Sequence, residues 1–182
     1  MQKILIAALM VTLFSCHSEE KKEVDSKTAS MESKSTTLPY TATYSSSWEK
    51  GDAKYAEAVL AIWKSWDDGN LMASRKMFAD TVRFYFRDGS EMSGSTDSVT
   101  KSAQMYRQSF TSVKSRVHAW VPLKSTDLHE NWVCIWGTEI STDKQGKVDS
   151  IGLQETWRFN KDGKADLVYQ FGKALTAPPM PK

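Results

Sequence analysis

Cysteine is almost missing from this chain. Its 182 residues hold two, Cys16 and Cys134, and only three histidines, His17, His118 and His129. So few sulfurs exclude a disulfide-stapled scaffold, and the fold must stand on its core. His129-Glu130 lacks the second histidine of a zinc motif, so no metal site is expected. There is no Gly-rich phosphate loop and no serine in a nucleophile-elbow setting, and no cofactor is expected. Charge of one sign is also lacking, with 24 basic against 22 acidic residues, a net +2. That balance excludes the basic footprint of a nucleic-acid binder. Beyond the N-terminus no segment is long and apolar enough to cross a bilayer.

What is present begins with the apolar run Ile4 to Phe14, preceded by Lys3. A charged start and an apolar core too short for a transmembrane helix read as a secretion signal, residues 1–15. The run ends in Leu13-Phe14-Ser15-Cys16, which resembles the lipobox of bacterial lipoproteins, with Phe14 bulkier than the usual residue there. The resemblance implies that Cys16 becomes the lipidated first residue and that acyl chains hold the protein on a membrane. It places the protein in the bacterial cell envelope as an outer-membrane lipoprotein. Glu19-Glu20 close behind Cys16 resembles the acidic export signal of surface lipoproteins. Residues 16–47 read as the lipidated cysteine and a flexible tether, rich in Ser, Thr, Lys and Glu and too poor in apolar side chains to offset the entropy of ordering.

Residues 48–175 read as one domain, followed by a Pro-rich tail at 176–182. Tyr55, Val59, Ile62, Trp63 and Trp66 recur at helical spacing, with Asp52 to cap the start and Gly69 to end the helix. Asn70 is expected to cap a second helix carrying Leu71, Met77 and Phe78. A third starts near Ser95 and carries Val99, Ala103, Tyr106, Phe110 and Val113. Strand patterns follow at 81–87, 113–123, 132–140, 151–159 and 166–171, with Gly-containing turns at 141–148 and 160–164. Helices followed by a run of strands make an α+β domain with helices over one face of a curved sheet.

This order resembles the nuclear-transport-factor-2-like (NTF2-like) superfamily, which includes SnoaL-like and ketosteroid-isomerase-like domains. The matching features run in order from about Tyr55 to Lys173. They are Gly69-Asn70-Leu71 leading to Met77-Phe78-Ala79-Asp80, Gly94 before Tyr106-Arg107-Gln108, and Glu155-Thr156-Trp157-Arg158-Phe159 before Asp162-Gly163-Lys164. The resemblance implies a cone: a curved antiparallel sheet wrapped around three N-terminal helices, enclosing a pocket. It leaves the function to the pocket residues.

One face of the strand 151–159 reads Ile151, Leu153, Glu155, Trp157, Phe159. Glu155 is its only charge, so it must be paired, protonated or turned to a polar pocket. By the resemblance, Glu155 falls where isomerase-like domains place an acid that donates to a substrate oxyanion. The other isomerase groups are missing, because the base position corresponds to Phe86 and the oxyanion tyrosine to Ile62. Where SnoaL-like cyclases often carry a further acid, this chain has Gln170, which orients a ligand but cannot act as a base. His118 is a candidate proton shuttle on the face of Arg116 and Trp120. Cys134 reads as a small buried hydrophobe.

The strand 132–140 is apolar on both faces, so both need cover. The resemblance gives one to helices and pocket and the other to a second subunit, making a homodimer. The expectation is a membrane-tethered domain binding a small, largely apolar molecule, with Glu155 and Gln170 as polar contacts and Ile62, Trp63, Phe86 and Trp157 as walls. The alternatives are a lyase, hydratase or isomerase using Glu155, alone or together with His118, or a purely structural dimerisation module with a filled cone.

Overall fold

The computed structural model describes residues 39–176. The signal at 1–15, Cys16, the tether up to residue 38 and the tail from 177 lie outside the described residues. No helix among the described residues is long and apolar enough to cross a membrane.

The elements run β1 (Trp48–Lys50), α1 (Ala53–Asp67), a 3-10 helix (Leu71–Met77), β2 (Phe78–Tyr85), β3 (Glu91–Ser95), α2 (Thr96–Arg107), β4 (Phe110–Ser125), β5 (Asn131–Asp143), β6 (Val148–Phe159) and β7 (Ala165–Ala174). The strands form one sheet in the order β1-β4-β5-β6-β7-β2-β3. Every pair is antiparallel except β2 with β7, which is parallel, so the sheet is mixed. Its ends, β1 and β3, do not meet, and the sheet stays an unclosed curve. Register shifts in β4 at Val117/Ala119 and along β2–β7 supply bending of the kind that extra residues impose on a pleat.

The Asp52 carboxylate accepts from the Lys54 N–H at 2.9 Å and starts α1, and Gly69 ends it at φ 69°. The apolar face of α1, Tyr55, Ala56, Val59, Ile62 and Trp63, packs into the concave side of the sheet against Val133, Ile135, Trp157, Phe159, Ala165 and Val168. These side chains are almost wholly removed from water. Burial of this kind contributes about 1.5–3 kcal/mol per large side chain.

Three expectations change. The second helix is a 3-10 segment, and the Asn70 side chain does not cap it. Its helical spacing ends in Phe78, which opens β2 instead. The third helix stops at Arg107 rather than running through Val113. The buried Arg107 guanidinium donates to the carbonyls of Trp66, Asp67 and Phe110, tying the end of α2 to the end of α1 and turning the chain there. Phe110 and Val113 lie in β4, where the register shift between Phe110 and Ser112 lets residues three apart mimic a helical repeat.

The domain's packing begins before Trp48. Ser45 is buried and its hydroxyl donates to Asp127, and Tyr44 packs edge-on to Trp132 with ring centroids 5.1 Å apart. Trp48 adds a second edge contact at 6.3 Å. The Trp132 end of the convex face is therefore covered by this chain's own residues 44–48.

Candidate functional site

Between the concave sheet, α1 and α2 lies a cavity of about 410 Å³. Ile62, Trp63, Phe86, Glu155, Trp157 and Gln170 all line it, so the six residues singled out from the sequence come together in one place. The cavity is not packed shut. Phe84, Val99, Ala103 and Leu153 add apolar wall.

Glu155 is buried at its inner wall, 7 % exposed. Its Oε2 accepts two indole N–H groups, from Trp63 at 2.7 Å and Trp157 at 3.0 Å. Its Oε1 accepts from Gln170 Nε2 at 2.9 Å. Each donor has a local reason to be there. Trp63 is on the inward stripe of α1, and its ring passes over Gly137, where an added Cβ would meet the ring at 2.7 Å. Trp157 stands two residues along the same face of β6. Gln170 is the register partner of Glu155 on β7. Burial pushes the Glu155 pKa up, and the Gln170, Trp63 and Trp157 hydrogen bonds oppose that rise.

A second acid, not among the residues picked out from the sequence, shares the cavity. Glu139 on β5 accepts the Trp66 indole N–H at 2.7 Å. Burial raises its pKa, the Trp66 hydrogen bond opposes this, the Glu155 and Asp67 charges add to the rise, and Arg87 works against it. The signal was available: Val133, Ile135, Gly137 and Glu139 alternate on one face, so Glu139 is a lone acid on an apolar stripe, as Glu155 is. Trp63 and Trp66, three apart on α1, thus present indoles to two carboxyls on neighbouring strands. Arg87, just past β2, also lines the cavity and went unread.

His118 takes no part. It sits exposed at the β4 register shift, hydrogen-bonded to Thr138 Oγ1 at 3.2 Å, and does not line the cavity. The expected partnership of Glu155 with His118 is therefore corrected. The shift adds a residue to β4 and carries His118 off the inward face. Cys134 is half-buried, its Sγ 3.7 Å from Thr156 Oγ1. Among the described residues, no three His, Cys, Asp or Glu side chains gather as a metal site.

No family model and no curated protein matches the chain. Solved structures do match, at low identity. An NTF2-like protein of unknown function from Burkholderia pseudomallei is 15% identical, with 67% of this chain and 92% of that one covered, at a TM-score of 0.55. One from Exiguobacterium sp. 255-15 is 16% identical over 64% of this chain and 98% of its own, at 0.52. SalBIII, an epoxide hydrolase/cyclase-like enzyme of pyran ring formation in the polyether salinomycin, is 15% identical over 66% and 91%, also at 0.52. The class is thereby defined at the level of architecture: this chain has the NTF2-like fold, a curved sheet around a pocket. The expected resemblance in fold holds, with one parallel strand pair in an otherwise antiparallel sheet.

Proposed function

We propose that this protein is a membrane-tethered binding domain whose cavity takes up a small, largely apolar molecule. The observation that carries the reading is the open cavity of about 410 Å³, of ordinary ligand-site size. It has an apolar and aromatic wall and a few buried polar groups, Glu155 and Gln170 among them, that would orient a ligand. A cone filled by its own tryptophans would have favoured a purely structural dimerisation module. Here Trp63, Trp66 and Trp157 line a void and turn their N–H groups to the acids. Lipidation at Cys16, the cell-envelope location on the outer membrane and homodimerisation belong to the same proposal. The lipobox resemblance and the half-exposed convex face support them.

A second reading, an acid–base enzyme of lyase, hydratase or isomerase type, has one observation in its favour. Glu139 and Glu155 share the cavity, and burial raises both pKa values. The SalBIII likeness is one of fold and assigns no reaction to this chain.

Native mass spectrometry of the full-length protein, purified in mild detergent from its own cells, tests the binding reading. A retained small molecule is expected, and it should be lost from Ala103→Trp, which narrows the cavity. Equal retention by that variant would overturn the reading. So would a ligand-free wild type that also takes up no naphthyl probe, whether alcohol, amine or carboxylate.

A further inference from the structure

The cavity carries an imbalance of charge. Glu139 from β5 and Glu155 from β6 line it, and Asp67 from α1 stands behind the lining residue Ser115, accepting its N–H at 3.0 Å and its hydroxyl at 2.8 Å. Against these three carboxyls the lining offers one cation, Arg87. Among the described residues, no ion pair involves Glu139, Glu155 or Arg87. Every partner of the two lining acids is a neutral N–H: three for Glu155 and one for Glu139. Such donors stabilise a carboxylate without neutralising it. The Glu139 Oε1 accepts no hydrogen bond among the described residues. Around the acids the wall is aromatic, with Trp63, Trp66, Phe84, Phe86, Tyr106 and Trp157. Faces of such rings attract cations, most strongly where water is excluded.

We infer that the cavity's ligand is a lipophilic amine, an apolar body bearing one ammonium group that pairs with Glu139 against the aromatic wall. This rests on the cavity-binding reading and adds the ligand's charge to it. A carboxylate ligand would meet three acidic side chains, with Arg87 the one cation in the lining to pair with it. Arg87 does not reverse that sign, because it is exposed and water screens it, whereas the acids act from inside. The ammonium binds the ionised acids, and burial favours their protonated forms, so affinity for an amine rises with pH through the acids' raised range. A neutral ligand lacks this dependence.

Calorimetric titration of the full-length protein with 1-naphthylmethylamine, 1-naphthalenemethanol and 1-naphthoate tests the inference on one carbon skeleton. At about pH 8 the amine should bind about tenfold more tightly than the alcohol, the scale of one charge-assisted hydrogen bond. The advantage should shrink toward about pH 5, as the acids take up protons. Glu139→Gln keeps an acceptor for the Trp66 indole and should shrink it at every pH. The wild-type pH series decides alone if that variant fails to fold. An alcohol that matches the amine at pH 8, or naphthoate as the tightest ligand, overturns the amine inference and leaves the cavity reading standing. If none of the three binds, the cavity reading fails and the inference falls with it.

Discussion

Gln170 donates its amide to Glu155 Oε1 across the β6–β7 register, so the orientation of the Gln170 amide depends on the protonation of Glu155. The indole N–H groups of Trp63 and Trp157 can only donate, which keeps Oε2 an acceptor in either state. A proton on Glu155 must therefore sit on Oε1, and Gln170 must then turn its carbonyl inward to accept it.

That geometry makes Glu155→Gln a mild change. The new carbonyl can accept both indoles and the new amide can face a reversed Gln170. The variant is expected to fold and to melt near or slightly above the wild type at neutral pH. The folded state holds the Glu155 proton more tightly than the unfolded chain, because burial raises its pKa. The group's contribution is thus present below the ordinary glutamate value and is lost as pH rises through the raised one. Wild-type melting temperature should fall across that window, and the variant's should fall less, with Glu139 supplying the residual slope in the same direction. Melts from pH 4 to pH 8 check this. A Gln variant destabilised by about 3–5 kcal/mol would instead mark a buried ion pair broken by the substitution.

Gly137→Ala tests how the Trp63 donor is seated. An added Cβ would meet the Trp63 ring at 2.7 Å and the Arg116 carbonyl at 2.8 Å, and the second contact is backbone. Overpacking of this kind costs about 1–3 kcal/mol. The melting temperature should drop, and displacing the indole should remove a donor that favours the ionised acid, raising the Glu155 pKa further. A variant that melts like the wild type with an unchanged pH profile would show that the ring has room to spare.

The two periodicities carried most of this architecture, because α1 and the long strands each bury one stripe and so write it into the residue order. Glu155 was legible for the same reason, and Glu139 carries the same mark one strand away. The short strands escaped notice: Trp48–Lys50 is too brief to alternate, and Glu91–Ser95 is polar at the sheet's edge. Arg87 could not be read from local pattern at all. Its side chain crosses Gly172, where a Cβ would meet Arg87 Cδ at 2.6 Å, and that neighbour arises from the non-local, parallel pairing of β2 with β7. The overrun of the third helix came from a spacing that a register shift in β4 reproduces.

Cys16→Ser tests the anchor. The lipobox resemblance makes Cys16 the acylated residue, and more than one acyl chain gives stable membrane attachment. The variant is expected to leave the membrane fraction and to take up no labelled fatty acid. Unchanged membrane retention would remove the lipoprotein assignment without touching the cavity.

The convex face decides the state of assembly. One row crosses it through Ala119, Trp136, Gln154 and Phe171, which are register partners on four successive strands. Phe171 is 57 % exposed, and Trp136 is half-buried. The chain's own cover, Tyr44 and Trp48, lies on Trp132, four residues back along β5. A row that is apolar but for Gln154, left open at the centre of a sheet, suits a second copy, because a two-fold axis sets the same row against itself. The protein should therefore be a homodimer burying about 1,600 Å² in total. Phe171→Glu places a charge at that self-facing row, where each copy's glutamate meets the other's apolar surface. It should give a monomer at micromolar concentration with its melting curve otherwise intact, since the side chain is already exposed in one chain. Light scattering checks both proteins. A monomeric wild type would leave the Trp136–Phe171 row without its proposed cover, and a Phe171→Glu dimer would move the interface elsewhere.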